Sequence, residues 1–258
     1  MHKKRTERAM KKTITIILLA VLIPALVVVG AVVFRERFYA WLALLVAVIS
    51  CVPLFYAFER RDSTAKELMV LAVLIALSVI GRIVFVEIPG FKPVTAVTII
   101  VALSFGGEAG FVVGSLSAAV SNFYFGHGPW TPFQMFAWGI IGLLAGLLKK
   151  PLKKSRILLC VFGALAGILF SVTMDVWTVL WAEGTFVPKE YLAAIGAALP
   201  LTVEYAVSNV VFLLLLAGPV GKKLERIKKK EGLFTEERPT ARAEKNPADI
   251  PEKEELSK

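Results

Sequence analysis

Long apolar runs separated by short polar breaks dominate the chain. Residues 14–33, 38–58 and 192–217 carry few charged side chains or none. A helix needs about 20 apolar residues to cross the hydrocarbon core of a bilayer, and these runs meet that length. The alternation of apolar and polar residues that marks a half-buried strand is absent, and only helices or closed barrels can cross lipid. The pattern therefore predicts an all-α polytopic membrane protein.

Eight apolar segments are predicted as membrane helices: 13–34, 38–58, 66–86, 94–105, 109–123, 132–149, 156–181 and 192–217. Helix breakers occupy several of the gaps between them: Pro89, Gly90 and Pro93, then Gly126, Gly128, Pro129 and Pro132, then Pro151, which is expected to end the sixth segment. A helix over 94–105 would be only about 18 Å long. It and the next segment are therefore expected either to cross twice or to form a re-entrant hairpin.

The charge pattern divides the chain and sets its expected orientation. The net charge is +10, but the basic residues form short blocks at 3–12, 60–66, 149–156 and 222–230, as in loops beside a membrane, and do not indicate nucleic-acid binding. These blocks fall on alternate loops, so the positive-inside rule places both termini in the cytoplasm of a multi-pass cell-membrane protein. We expect a basic N-terminus with two extra helices over 1–62, a six-helix core over 63–220 and a basic, then disordered tail over 221–258.

Catalytic and cofactor-binding motifs are absent from the sequence. There is no phosphate-cradling loop ending in Gly-Lys-Ser/Thr, no metal-binding His or Cys motif and no nucleophile elbow. Cys51 and Cys160 lie in apolar runs without paired spacing, and His127 is alone in a loop. We therefore predict no enzyme activity, no cofactor and no metal site.

Small residues recur at a spacing of four along several helices. The glycine pairs are Gly110/Gly114, Gly142/Gly146 and Gly163/Gly167, and Ala72/Ala76 is a similar alanine pair. Such pairs allow another helix backbone to approach closely. We expect the glycine pairs to pack within this chain.

Polar side chains inside apolar runs are the strongest functional signal, because they cost about 2.5–3.5 kcal/mol each at the centre of a membrane helix. They are Arg82, Asn122, Gln134, Asp175, Glu204 and Asn209, and most fall toward the outer side, as do Trp130, Trp177 and Trp181. A polar cluster beside aromatics is what a small-molecule site needs. The alternative is internal pairing of Arg82 with Asp175 or Glu204, beside an interfacial aromatic belt.

Several local motifs now carry a family resemblance. They are Leu71–Ala76, Gly81-Arg82, Phe91–Ala96, Gly106–Phe111, Ser121–Phe123 and Gly126–Met135. Together they resemble the substrate-binding S components of energy-coupling factor (ECF) vitamin transporters. The Phe-Lys-Pro and Gly-Pro-Trp-Thr-Pro stretches are most similar to the cobalamin-type members. The resemblance covers about 150 residues, and the two N-terminal helices lie outside the usual six-helix pattern.

The resemblance implies a transporter subunit without its own ATPase. S components bind a vitamin in a cavity at the outer end of six helices, dock on a transmembrane T protein with two ATP-binding subunits, and topple to release the vitamin inside. The family's Ala-x-x-x-Ala docking motif maps onto Ala72 and Ala76. With the polar cluster, the expected substrate-binding residues are Arg82, Phe91, Lys92, Asn122, Trp130, Gln134, Asp175, Trp181 and Glu204.

Other functions remain open at this point. A stand-alone carrier, or a membrane enzyme or sensor on a similar scaffold, would share the apolar pattern. Amides, aromatics and roughly balanced charges in the expected site suit a large, mostly neutral vitamin. Cobalamin is the first expectation for the substrate, and riboflavin, another vitamin or a nucleobase are the alternatives.

Overall fold

The computed structural model describes residues 65–128, 130–183 and 187–234, and the helices predicted over 13–34 and 38–58 lie outside them. The described residues contain seven helices and no strand, which confirms the all-α prediction. The helices are α1 (Ala65–Val84), α2 (Val94–Phe105), α3 (Gly107–Phe125), α4 (Trp130–Leu147), α5 (Lys149–Lys154), α6 (Arg156–Glu183) and α7 (Pro188–Glu231). Four of them, α1, α4, α6 and α7, are long and apolar enough to span a membrane.

Six of the helices run alternately up and down between two ends of one bundle, and α5 is a short helix at one end. The basic end carries the first residues of α1, α3 and α6, the whole of α5 and the last residues of α7. The loop end carries residues 85–93, residues 126–128 and the start of α7.

Helix α2 forms the centre of the bundle. It packs against α1, α3, α4, α6 and α7, and every one of its residues except Val97 is buried. Pro93 precedes it and Gly106, with φ 110°, follows it, and its bounds are the predicted 94–105. It begins at the loop end, and Lys149 and Lys228 donate hydrogen bonds to the Ser104 carbonyl at the basic end. Helices α2 and α3 therefore run in opposite directions between the two ends of the bundle, and neither is among the described helices that are long and apolar enough to span a membrane.

The glycine pairs pack within the chain, as predicted. A methyl group added at Gly110 or Gly142 would collide with the facing backbone or side chains of α2, α3 and α4. Added at Gly167, it would lie 2.7 Å from the Ala206 backbone nitrogen of α7. These close approaches join α3 to α4 and α6 to α7.

Helix α7 continues past residue 220, where the core was expected to end, so the basic block 222–230 is helical. Leu224 is buried, and after the left-handed Gly232 the chain turns so that Leu233 is also buried. The Phe234 backbone N–H donates to the buried Glu67 carboxylate at 2.6 Å, which ties the end of α7 to the start of α1. These apolar and polar contacts explain why a strongly charged segment remains in the fold.

Two further boundaries differ from expectation at prolines. Helix α4 begins at Trp130, so Pro132 lies in its first turn, where a missing N–H costs nothing. The same helix ends at Leu147, before Pro151, which lies in the first turn of α5. Pro132 and Pro151, which were predicted to interrupt helices, therefore lie in the first turns of helices.

Candidate functional site

A small cavity lies at the loop end of the bundle, bounded by α1, α2, α4, α6, α7 and the loop 85–93. Its volume is about 50 Å³. Its lining residues are Arg82, Pro89, Gly90, Lys92, Val94, Thr95, Gln134, Trp138, Phe170, Tyr205 and Asn209. Arg82, Lys92 and Gln134 are the predicted site residues among them.

The guanidinium of Arg82 is held at the cavity by a buried polar network. It donates to Ser121 Oγ and to Asn122 Oδ1, the latter at 2.8 Å. It also lies 4.4 Å from the centroid of the Phe125 ring and 5.1 Å from that of Trp138, which are favourable cation–π distances. Among the described residues, Arg82 has no carboxylate partner, so the predicted alternative of pairing with Asp175 or Glu204 is wrong for this conformation.

Asn122 extends this network from α3 to α4. Its side chain is fully buried, and its amide donates to Thr131 Oγ1 at 2.8 Å and to Gln134 Oε1 at 3.0 Å. Since its carbonyl accepts from Arg82, one amide fixes the orientation of two cavity-lining side chains. Asn122 therefore supports the cavity without lining it.

Three aromatic rings form one wall of the cavity. Trp138 of α4 stacks on Phe170 of α6 with centroids 4.8 Å apart, and Tyr205 of α7 meets Phe170 edge-on at 5.1 Å. The Trp138 indole N–H donates to Thr95 Oγ1 at 3.2 Å, which sets the ring's orientation. The wall offers flat apolar surface with polar groups at its margin.

The loop 85–93 covers one side of the cavity and is fixed to α7. The Lys92 backbone N–H donates to Ser208 Oγ at 2.9 Å, and the Ser208 hydroxyl lies 3.2 Å from the Lys92 carbonyl oxygen. Gly90 is buried against Glu204, where an added methyl group would lie 3.0 Å from the Glu204 Cβ. Pro89, Gly90 and Lys92 all line the cavity, so displacing this loop would enlarge it.

The cavity carries positive charge. Arg82 and Lys92 line it, and none of the described lining residues is a carboxylate. Val94 and Thr95 belong to the first turn of α2, whose unpaired N–H groups add partial positive charge. Burial, together with the charge of Arg82, lowers the pKa of Lys92 below its usual range. The balanced charge expected from the sequence is therefore not found in the lining, which suits ligand oxygens that accept hydrogen bonds.

The other predicted site residues lie outside the lining. Phe91 packs against Phe85 and Phe212 with centroids 5.8 and 4.9 Å away. Trp130 and Trp181 flank Trp177 in an aromatic row, in which Trp181 is exposed. Asp175 is buried on α6, and no hydrogen-bond partner of its Oδ2 is found among the described residues.

Trp138, Phe170, Tyr205 and Thr95 are among the lining residues that sequence reasoning did not select. Each occurs within an apolar segment, where an aromatic ring or a threonine is as consistent with core packing as with a site. The spacing of Gln134 and Trp138, one helical turn apart, is the one local signal that places the tryptophan beside a predicted site residue.

The described residues form a helical bundle with a polar and aromatic cavity at one end, and four of its helices are long and apolar enough to span a membrane, which is the architecture of a polytopic membrane protein. The family of the ECF-type riboflavin transporter, S component, matches residues 62–226. The chain belongs to this family, which confirms the S-component resemblance. The cobalamin-type assignment is not confirmed, because the matched family is one of riboflavin transporters. No curated protein and no solved structure matches the chain.

Proposed function

We propose that the chain is the substrate-binding subunit of an ECF importer and that its substrate is riboflavin. It would capture the vitamin outside the cell and deliver it inward with a T protein and two ATP-binding subunits. The family match over residues 62–226 is the observation that carries this proposal. The riboflavin alternative from the sequence thus replaces cobalamin as the expected substrate.

The chemistry of the cavity supports a flavin. Riboflavin has a flat three-ring system with carbonyl oxygens at one edge and a hydroxylated chain. Trp138, Phe170 and Tyr205 provide aromatic surface against which such a ring system can pack, and Arg82 and Lys92 can donate to its carbonyl oxygens. Gln134 and Asn209 add amides suited to hydroxyl groups.

Riboflavin binding requires the cavity to open. Pockets that hold drug-sized ligands have volumes of about 300–1,000 Å³, whereas this one measures about 50 Å³. The loop 85–93 is the element whose displacement would enlarge the cavity without unpacking a helix. Its anchors include the Lys92–Ser208 hydrogen bonds, the Gly90–Glu204 contact and the packing of Phe91 on Phe212.

Ala72 and Ala76 are proposed to contact the T protein. Both are exposed on α1, on the same side as Met69, Val73 and Ile80, which are also exposed. Small side chains at this spacing permit close approach of a partner helix. In the described residues this face of α1 is not covered by another helix of the bundle.

The basic end is proposed to face the cytoplasm and the loop end the outside, because lysine and arginine favour cytoplasmic loops. The cavity then opens outward, and both termini remain inside. The two extra helices predicted over 1–62 lie outside the described residues and are left without an assigned role.

The first test is binding by the purified protein. We expect the fluorescence of riboflavin to be quenched when it binds. We also expect mass spectrometry to identify riboflavin as the ligand retained through purification. Cobalamin added at the same concentration should not displace it. Displacement by cobalamin, or retention of another vitamin, would refute riboflavin while leaving the S-component assignment intact.

The second test separates the subunit from a stand-alone carrier. Cells that depend on external riboflavin should grow only when this protein is expressed with a T protein and both ATP-binding subunits. Growth supported by the chain alone would indicate an independent carrier. Conversion of bound riboflavin by the purified protein would indicate an enzyme.

A further inference from the structure

A second and much larger cavity lies at the basic end, on the side of the bundle formed by α2, α5, α6 and α7. Its volume is about 770 Å³. It is separate from the loop-end cavity, with which it shares no lining residue. The vitamin site does not account for it.

Basic side chains dominate the polar part of this second cavity. Six cations line it: Lys153, Arg156, Lys222, Arg226, Lys229 and Lys230. Glu225 is the carboxylate in the described lining, and it is already paired with Lys153. The cavity therefore has a large excess of positive charge.

The cations of α7 face the cavity in a regular pattern. Lys222, Arg226 and Lys229 follow one another at spacings of four and three, so they share one face of the helix. Lys223, one position along the same helix, does not line the cavity. A general excess of basic residues on the cytoplasmic side does not require this concentration on a single concave surface.

The rest of the lining is apolar and open. Ile100, Leu103 and Leu159 contribute to it. Gly218 and Gly221 also line it, and an added methyl group at either would meet nothing within 4 Å. A cluster of cations beside an apolar, unfilled groove matches a ligand with an anionic head and a hydrocarbon chain.

We propose that this cavity binds an anionic phospholipid. The phosphate is held by Lys222 and Arg226, and an acyl chain lies along the apolar surface of α2 and α6. In a membrane-spanning bundle, the end of the apolar surface and the start of the basic residues coincide with the level of lipid headgroups, where basic pockets between helices bind anionic lipids. The lipid supplies both the counter-charge and the filling that the described residues leave open.

Lipid retention measured by native mass spectrometry tests this proposal. The full chain in detergent is incubated with dioleoylphosphatidylglycerol or with dioleoylphosphatidylcholine, and the bound lipid is counted. We expect selective retention of phosphatidylglycerol. Lys222→Gln and Arg226→Gln should each reduce its binding roughly fivefold, from the contribution of one cation near an anionic lipid, whereas Lys223→Gln should leave it unchanged.

A steric variant tests the site without changing charge. The added side chain of Gly221→Leu extends into the open space and should abolish the selective retention of phosphatidylglycerol. The unfolding transition of this variant should remain close to that of the wild type. Equal retention of the two lipids, or equal losses in Lys222→Gln and Lys223→Gln, would overturn the proposal.

The same protein preparation distinguishes the lipid from two alternative occupants of the cavity, a soluble phosphate and the chain's own residues 235–258. Displacement of phosphatidylglycerol by soluble glycerol phosphate, at concentrations where choline phosphate has no effect, would assign the cations to a soluble phosphate and overturn the lipid. Carbodiimide cross-links from Lys222 or Lys229 to carboxylates in residues 235–258, formed in lipid vesicles containing phosphatidylglycerol, would show that the tail occupies the cavity instead. The absence of such cross-links, with selective retention, supports the lipid.

Discussion

Asn122 offers the sharpest test of how the proposed vitamin site is organised. Asn122→Leu keeps a similar branched shape in a fully buried position but removes the hydrogen bonds to Arg82, Thr131 and Gln134. Arg82 and Gln134 line the cavity, so the substitution alters the site from behind. The substitution should therefore lower the affinity for riboflavin more than a substitution that only destabilises the fold.

The expected magnitudes follow from the bonds lost. Hydrogen bonds between side chains of membrane helices average about 0.6 kcal/mol, and one to a charged group contributes about 1.5–3 kcal/mol. Two neutral bonds and the bond from Arg82 together predict a loss of about 3–4 kcal/mol in the free energy of unfolding. Losing the fixed orientation of Arg82 and Gln134 should weaken riboflavin binding by about tenfold, equivalent to about 1.4 kcal/mol.

Two comparisons make the result interpretable. Asn122→Asp retains an acceptor for Arg82 and should lose less stability than Asn122→Leu. Ser115→Ala removes one neutral hydrogen bond between the same two helices, to the Met135 carbonyl, and should leave affinity unchanged. Stability is measured by titration with a denaturing detergent and affinity by quenching of riboflavin fluorescence. Wild-type affinity in a destabilised Asn122→Leu protein would refute a role for the network in binding.

Three further outcomes are expected from the same binding and uptake assays. Trp138→Leu should weaken riboflavin binding by about 30-fold, since stacking on one aromatic ring contributes about 2 kcal/mol. Trp130 lies outside the cavity lining, so Trp130→Ala should change the affinity less than threefold. The reverse order of effects would place the vitamin against the row of Trp130, Trp177 and Trp181. Ala76→Trp should abolish uptake and copurification with the T protein while leaving riboflavin affinity intact, and normal uptake would remove this face of α1 from the docking surface. A disulfide between Gly90→Cys and Glu204→Cys, in a chain without its native cysteines, should block riboflavin binding until it is reduced; unimpaired binding by the oxidised form would show that another element opens the cavity.

The bounds of α2 were predictable from its flanking residues, whereas those of α4 were not, because Pro132 and Pro151 each lie in the first turn of a helix. Pro93 and Gly106 delimit α2 because each disfavours continuation of a helix in its own right. The end of α7 was not predictable in this way. From the sequence its last turns were predicted to be a basic segment outside the core. They are helical because Leu224 and Leu233 are buried and because the Glu67 carboxylate accepts a hydrogen bond from Phe234 N–H in the turn that follows.

The site shows a similar division. Arg82 and Gln134 could be selected because a polar group in an apolar segment is costly and requires a reason. Trp138 and Phe170 could not be selected, because an aromatic ring in an apolar segment can pack in the protein core, face lipid or contact a ligand with equal ease. Which of these it contacts depends on how α4 and α6 are placed in the bundle, where Gly142 brings α4 close to α3 and Gly167 brings α6 close to α7.

The buried position of α2 has a consequence for the route of transport. Because this helix is buried from Val94 to Phe105 against several neighbours, the cavities at the two ends share no lining residue in the described part of the chain. For the proposed vitamin, passage through the bundle would disrupt the packing of α2, so the buried position of this helix favours delivery in which the vitamin and its binding helices change their position in the membrane together.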